Sequence, residues 1–136
     1  MTRLILSIDQ GTTSSRALLV NERAEVVSVA QQAIEMHYPS PGWVNQDADN
    51  IWETTRTVCR QAMEQAGVSA GQISAIGITN QRETAVVWDR ATLNPLAPVI
   101  VWQSRQSVPQ VNAIVERGMA GRYTEITGLV PDAYFS

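Results

Sequence analysis

Two short groups of residues have the types and spacing to do chemistry. The first is Asp9, then Gly11-Thr12-Thr13-Ser14-Ser15, then Arg16, set between the apolar runs LILSI and ALLV. Hydroxyls and closely spaced backbone N–H groups are the donors that anionic oxygen requires. Asp9 can hold Mg²⁺ and Arg16 can hold a phosphate. The same residue types also make an ordinary hairpin loop, but the run is long for a tight hairpin, which needs only about two loop residues. A Walker-type loop is excluded, because no Gly-Lys-Ser/Thr run is present and RALLV reads as a strand rather than a helix. A phosphate would therefore sit on a strand–turn–strand cradle. That reading predicts a concave backbone at residues 11–14, with N–H groups left outside the strand ladder.

The second group is Arg82-Glu83. A bare Arg-Glu pair can be a solvated ion pair of little worth. It also suits a polyol, whose hydroxyls each donate and accept. Ionised Glu83 only accepts and Arg82 only donates, so together they can orient two adjacent hydroxyls. Side chains alternate faces along a strand, so both can reach one ligand only from a loop or bulge past a strand end. Trp102 can cover the carbon face of such a ligand, or it can close the core. Tyr134 can give its phenol to a hydroxyl, or it can be a surface aromatic.

The elements that must position these groups follow from hydrophobic pattern and punctuation. Residues 3–9, 16–21 and 25–34 read as strands, with Asn21-Glu22-Arg23 turning between the second and third. Short connections make neighbours antiparallel. YPSPGW at 38–43 is a loop. Asp47 is an N-cap and Gly67 a C′ stop for a helix with an apolar stripe of Ile51, Thr55, Val58, Ala62 and Ala66. ISAIGIT at 73–79 is a strand that follows a helix, so it lies parallel in the same sheet. TAVVWD and PVIVW read as two more strands. Ser107 with Gln110 predicts a capping box opening a helix that Gly118 ends, and a further short helix ends at Gly128. Trp43, Trp52 and Trp88 read as packing residues, and Cys59 as a buried small hydrophobe.

Composition narrows the function classes. A length of 136 residues suits one hydrophobic core. All ten basic residues are scattered arginines against thirteen acidic residues, which argues against nucleic acid or an anionic membrane as partner. No apolar run is long enough for a membrane span. The single cysteine excludes an internal disulfide and suits a reducing cytosol, and the single histidine, His37, leaves no zinc cluster.

DQGTTSSR, YPSPGWVNQD, IGITNQRET, IVWQSR and TGL with DAYFS resemble, in this order, the FGGY family of carbohydrate kinases, and its glycerol-phosphorylating branch in particular. The resemblance runs along essentially the whole chain. It implies an α/β fold, the first lobe of an actin-like (RNase H-like) ATPase, with a mixed sheet that begins with three antiparallel strands and is flanked by helices. It implies ATP as co-substrate with Mg²⁺, and glycerol as acceptor, in a cytoplasmic homo-oligomer. It assigns Thr12, Thr13, Ser14 and Arg16 to nucleotide phosphates, Asp9 to the metal, and Arg82, Glu83, Trp102 and Tyr134 to glycerol.

The chain departs from the family pattern in three places. Asn45-Gln46 stand where an acidic residue and a histidine are usual, Ser104-Arg105-Gln106 where an arginine-rich run is usual, and Ala133 where proline is usual. The resemblance also places the general base, a second phosphate motif and the adenosine pocket beyond these residues. An end on Tyr134-Phe135-Ser136, without a polar tail, suits a natural terminus or, at least equally, a cut within a larger domain. The rival function is a non-enzymatic nucleotide-binding or interaction module on the same fold, or a related polyol or sugar kinase. The Arg82-Glu83 pair separates the first of these, because an interaction module has no need of a polyol pocket.

Overall fold

Alternation of Leu4, Leu6 and Ile8 with more polar neighbours builds the first strand, and the same period-two burial recurs in the second at Ser15, Ala17 and Leu19, whereas the third buries only Ala30. In the computed structural model, which describes residues 3–135, the strands are β1 (Leu4–Gln10), β2 (Ser14–Asn21) and β3 (Val26–Ala33). They form an antiparallel meander. Two compact units are present. The first comprises the chain up to Glu35 together with Asp47–Gln81, and the second comprises Met36–Gln46 and the chain from Arg82 onward.

In the first unit α1 (Ala48–Ala66) returns across the sheet, and β5 (Ile73–Asn80) then pairs parallel to β1. The strand order is β3-β2-β1-β5. Asp47 caps α1 through its carboxylate, which accepts from the N–H groups of Asp49 and Asn50 at 2.7 and 3.0 Å. Gly67 ends the helix in the left-handed conformation at φ 63°. Leu4, Leu6, Ile8, Ala17, Leu19 and Ala30 pack against Val58 and Ala62. The helix stripe is rotated slightly from expectation: Thr54 is buried, whereas Ile51 and Thr55 are half-buried. The cause is polar. The buried Ser15 hydroxyl on this sheet face needs partners, and it finds Thr54 Oγ1 at 3.0 Å and Thr55 Oγ1 at 3.2 Å. Cys59 is half-buried beside the core, and burial pushes its thiol pKa up.

Helix α1 packs on β2, β3 and β1. On β5, Ile76 and Ile78 remain 59 and 72 % exposed. Replacing Asp47 with Ala should cost about 1 kcal/mol of stability by removing the cap. Urea unfolding of the chain checks this, and an unchanged midpoint would contradict it.

The second unit holds β4 (Asn45–Gln46), paired antiparallel with β6 (Val99–Ile100), then α2 (Val108–Glu116) and α3 (Ala120–Thr127). Four expectations fail. TAVVWD is not a regular strand, and makes only isolated bridges from Ala85 to Ile100 and from Trp88 to Pro95. Pro95 and Pro98 cannot donate to a ladder. Asp89 instead turns the chain, accepting from the N–H groups of Ala91 and Thr92 at 2.9 and 2.7 Å. These same bonds, led by Thr92, lower the Asp89 carboxyl pKa. PVIVW contributes only Val99–Ile100 as strand.

The Ser107 capping box does not form either. Ser107 is the N-cap but makes no side-chain capping bond: at ψ 0° it lacks the extended conformation that aims a capping hydroxyl at the first turn. Trp43, Trp52 and Trp88 are 41, 60 and 55 % exposed rather than packed. Gly118 and Gly128 do close α2 and α3, both at positive φ.

Candidate functional site

The phosphate-type residues gather at one end of the first unit's sheet. Asp9 and Arg16 are register partners across β1 and β2. Their side chains lie 3.7 Å apart, Arg16 Nη2 to Asp9 Oδ2, and are 42 and 44 % exposed respectively. Such a loose, wet pair is worth little by itself, so forming it costs little affinity for a ligand that competes for either side chain. Ser14 Oγ accepts from Gln31 Nε2 at 2.9 Å. Thr12 is half-buried and Thr13 exposed.

The turn differs from the wide concave loop expected. The Gly11 N–H donates to the Ser14 carbonyl at 2.9 Å, closing the chain around Thr12 and Thr13. None of residues 11–14 has positive φ, so the backbone does not form the alternating-handed anion nest. Burial of the Ser15 hydroxyl against α1 draws Ser14 and Ser15 into β2, and this shortens the loop. Gly11 is required by the closeness of the turn, since a Cβ there would stand 3.1 Å from the Ser14 carbonyl oxygen. An anion at this end would meet side-chain hydroxyls and Arg16 more than a backbone cradle.

Asp9 fits one kind of metal. Among the described residues no group of three or more His, Cys, Asp or Glu could hold an ion. Mg²⁺ is commonly held by one or two carboxylates plus phosphate oxygens and water. A single carboxylate at a strand end suits an ion that arrives on a phosphate.

The polyol-type residues lie in the second unit. The Gln81 N–H donates to the Gln10 carbonyl at 2.6 Å, one residue past β5. The chain then leaves the sheet, so Arg82 and Glu83 stand beyond the strand end, both exposed. Glu83 has φ 58°, in the left-handed region. The other described non-glycine residues with positive φ, Ala24 and Leu93, close hairpin loops. A strained non-glycine outside such a loop points to function.

Ala85 and Ile100 exchange both backbone hydrogen bonds, at 2.9 and 3.1 Å. That bridge anchors the chain two residues after Glu83 to the segment that leads into Trp102. Thr84 Oγ1 accepts from the Trp102 N–H at 3.4 Å. Trp102 in turn meets Tyr134, with ring centroids 5.4 Å apart and planes inclined at 59°. This is a favourable aromatic geometry. Thr84 escaped the sequence reading because its part depends on a pairing that the prolines obscure.

Most residues at the three departures from the family pattern are buried in this same unit; Gln106 is half-buried and Arg105 exposed. Ser104 Oγ accepts from the Val44 N–H at 3.1 Å and from Gln106 Nε2 at 2.9 Å. Gln106 Nε2 also donates to Asn45 Oδ1 at 2.8 Å. Asn45, Gln46, Ser104 and Ala133 are all buried. Asn45, Ser104 and Gln106 thus form one neutral network, in which an isolated charge would be costly.

The N-terminal domain of the FGGY family of carbohydrate kinases matches residues 4–136. The chain belongs to that family. Its sheet and helix are the first lobe of the actin-like ATPase fold. A glycerol kinase of Halorhodospira halophila is 50% identical over 134 residues, covering 98% of this chain and 26% of the relative. One from Bacillus licheniformis is 48% identical over 136 residues, covering 100% of this chain and 27% of the relative. A crystal structure of Plasmodium falciparum glycerol kinase with ADP superposes with TM-score 0.89 at 28% identity, covering 99% of this chain and 27% of that one. This FGGY chain therefore spans about a quarter of the length of the relatives it matches. No described helix is long and apolar enough to cross a membrane.

Proposed function

We propose that the complete enzyme carrying this chain is a cytoplasmic, homo-oligomeric glycerol kinase. It transfers the γ-phosphoryl group of ATP to a terminal hydroxyl of glycerol, giving sn-glycerol 3-phosphate. The observation that carries this reading is the grouping in one unit of a strained Glu83, its neighbour Arg82 and the touching rings of Trp102 and Tyr134. That set matches a small molecule that is all hydroxyl on one side and carbon on the other. Near-half identity to glycerol kinases along the whole chain supports glycerol over a larger sugar.

Catalysis is mainly positioning and charge stabilisation. Arg82 donates to the acceptor hydroxyls and Glu83 accepts from them, which fixes which oxygen faces the nucleotide. Trp102 and Tyr134 cover the carbon chain and exclude water from that side. Thr12, Thr13, Ser14 and Arg16 hold phosphate oxygens, and Asp9 would hold a Mg²⁺ brought by the nucleotide. That ion would supply neutralising charge to the phosphates.

The test is acceptor choice in the complete kinase carrying this segment. Glycerol should exceed xylulose and gluconate in kcat/KM by about 10²-fold or more. Equal values for the three would reject glycerol as the acceptor. Nucleotide binding with no transfer to any of them would favour the interaction module.

A further inference from the structure

We infer that Asp132 is a positioning residue that seats Tyr134 against Trp102. One carboxylate oxygen, Asp132 Oδ1, accepts from the Tyr134 N–H at 2.8 Å and from Arg105 Nη1 at 3.2 Å. The Asp132 carbonyl accepts from the Phe135 N–H at 3.1 Å. The first bond is an Asx turn, in which a short side chain stands in for the backbone two residues on. Together with the carbonyl bond it wraps residues 132–135 into a fixed turn. Ala133 points into the protein, 2 % exposed. Tyr134 is thereby turned outward, between Trp102 at 5.4 Å and Phe135 at 5.1 Å.

The arginine joins this turn to the segment that bears Trp102. Arg105 lies three residues after Trp102, and its N–H donates to the Gly42 carbonyl at 2.8 Å. The ion pair itself is partly exposed, with side chains 56 and 44 % accessible, so it contributes little alone. The Asx bond has a charged acceptor and local geometry, so it does most of the seating.

Two substitutions separate these parts. Asp132→Ala removes the acceptor, whereas Asp132→Asn keeps an acceptor oxygen and the Asx turn but loses the charge. The placement of the ring is read in the chain itself, from nuclear Overhauser contacts between the Tyr134 ring and the Trp102 indole. Unchanged amide shifts in β4, β6 and α2, which belong to the same unit, control for folding. The contacts should vanish in Asp132→Ala, persist in Asp132→Asn and persist in Arg105→Ala. Contacts that survive Asp132→Ala, or are lost in Asp132→Asn, overturn the inference.

Its bearing on glycerol rests on the function proposed above and is read separately, as glycerol affinity by calorimetric titration of the complete kinase. Affinity should fall about tenfold in Asp132→Ala and stay within about twofold in Asp132→Asn. Contacts that follow this pattern while glycerol affinity stays the same in every variant would uphold the positioning role and remove Tyr134 from the acceptor site.

Discussion

Replacing Arg82 with Ala in the complete kinase should lower kcat/KM for glycerol by ten- to a hundredfold or more per hydrogen bond lost. A guanidinium bonded to a hydroxyl contributes roughly 1.5–3 kcal/mol, because one partner is charged. Converted through the activation barrier, each such bond corresponds to about that factor in rate. Arg82 stands past the end of β5, and in the proposed function it bonds acceptor hydroxyls rather than phosphate. KM for ATP should therefore change by no more than about twofold. Arg82→Lys should recover part of the loss, since it restores the charge but not the planar fork. Steady-state kinetics with each substrate varied in turn gives the answer. Equal losses for glycerol and ATP would reject the polyol assignment.

The 136-residue chain alone should show no measurable glycerol phosphorylation and only weak glycerol binding. Phosphoryl transfer needs nucleotide, metal and acceptor held together in line. This chain supplies a phosphate-type strand end and an acceptor-type loop, and it spans about a quarter of its relatives. Its two carboxylates at these places have other duties in the proposed mechanism: Asp9 toward the metal and Glu83 toward the acceptor hydroxyls. A second lobe that closes over the reactants and excludes water is part of how such enzymes work. The exposed Ile76 and Ile78 on β5 should also make the chain associate as its concentration rises. The assay is purified chain with Mg·ATP and glycerol, read as glycerol 3-phosphate. Turnover above a blank that disappears in Arg82→Ala would refute the expectation and place a catalytic base within these residues.

The sequence by itself determined the first unit almost completely. Period-two burial in residues 4–21 and the short turns on either side of the second strand leave one way to hide the apolar face. Asp47 and Gly67 mark the helix ends because each satisfies backbone groups that nothing else nearby can. A strand directly after that helix can return only parallel to β1. The two chemical groups were legible for a similar reason: Asp9 with Arg16 and Arg82 with Glu83 are polar residues where strands stop.

Tertiary structure alone decided the rest. The strand pattern of TAVVWD was real, but its neighbouring segment carries two prolines, and a ladder depends on what lies opposite. The width of the glycine-threonine turn was set by a hydroxyl contact 39 residues away, from Ser15 to Thr54. Asp132, Thr84 and the Asn45–Ser104–Gln106 network carry no periodic signal, because each acts through individual hydrogen bonds within irregular segments. Periodicity reports which face of an element is buried. It cannot report which single polar atoms meet once the faces have closed.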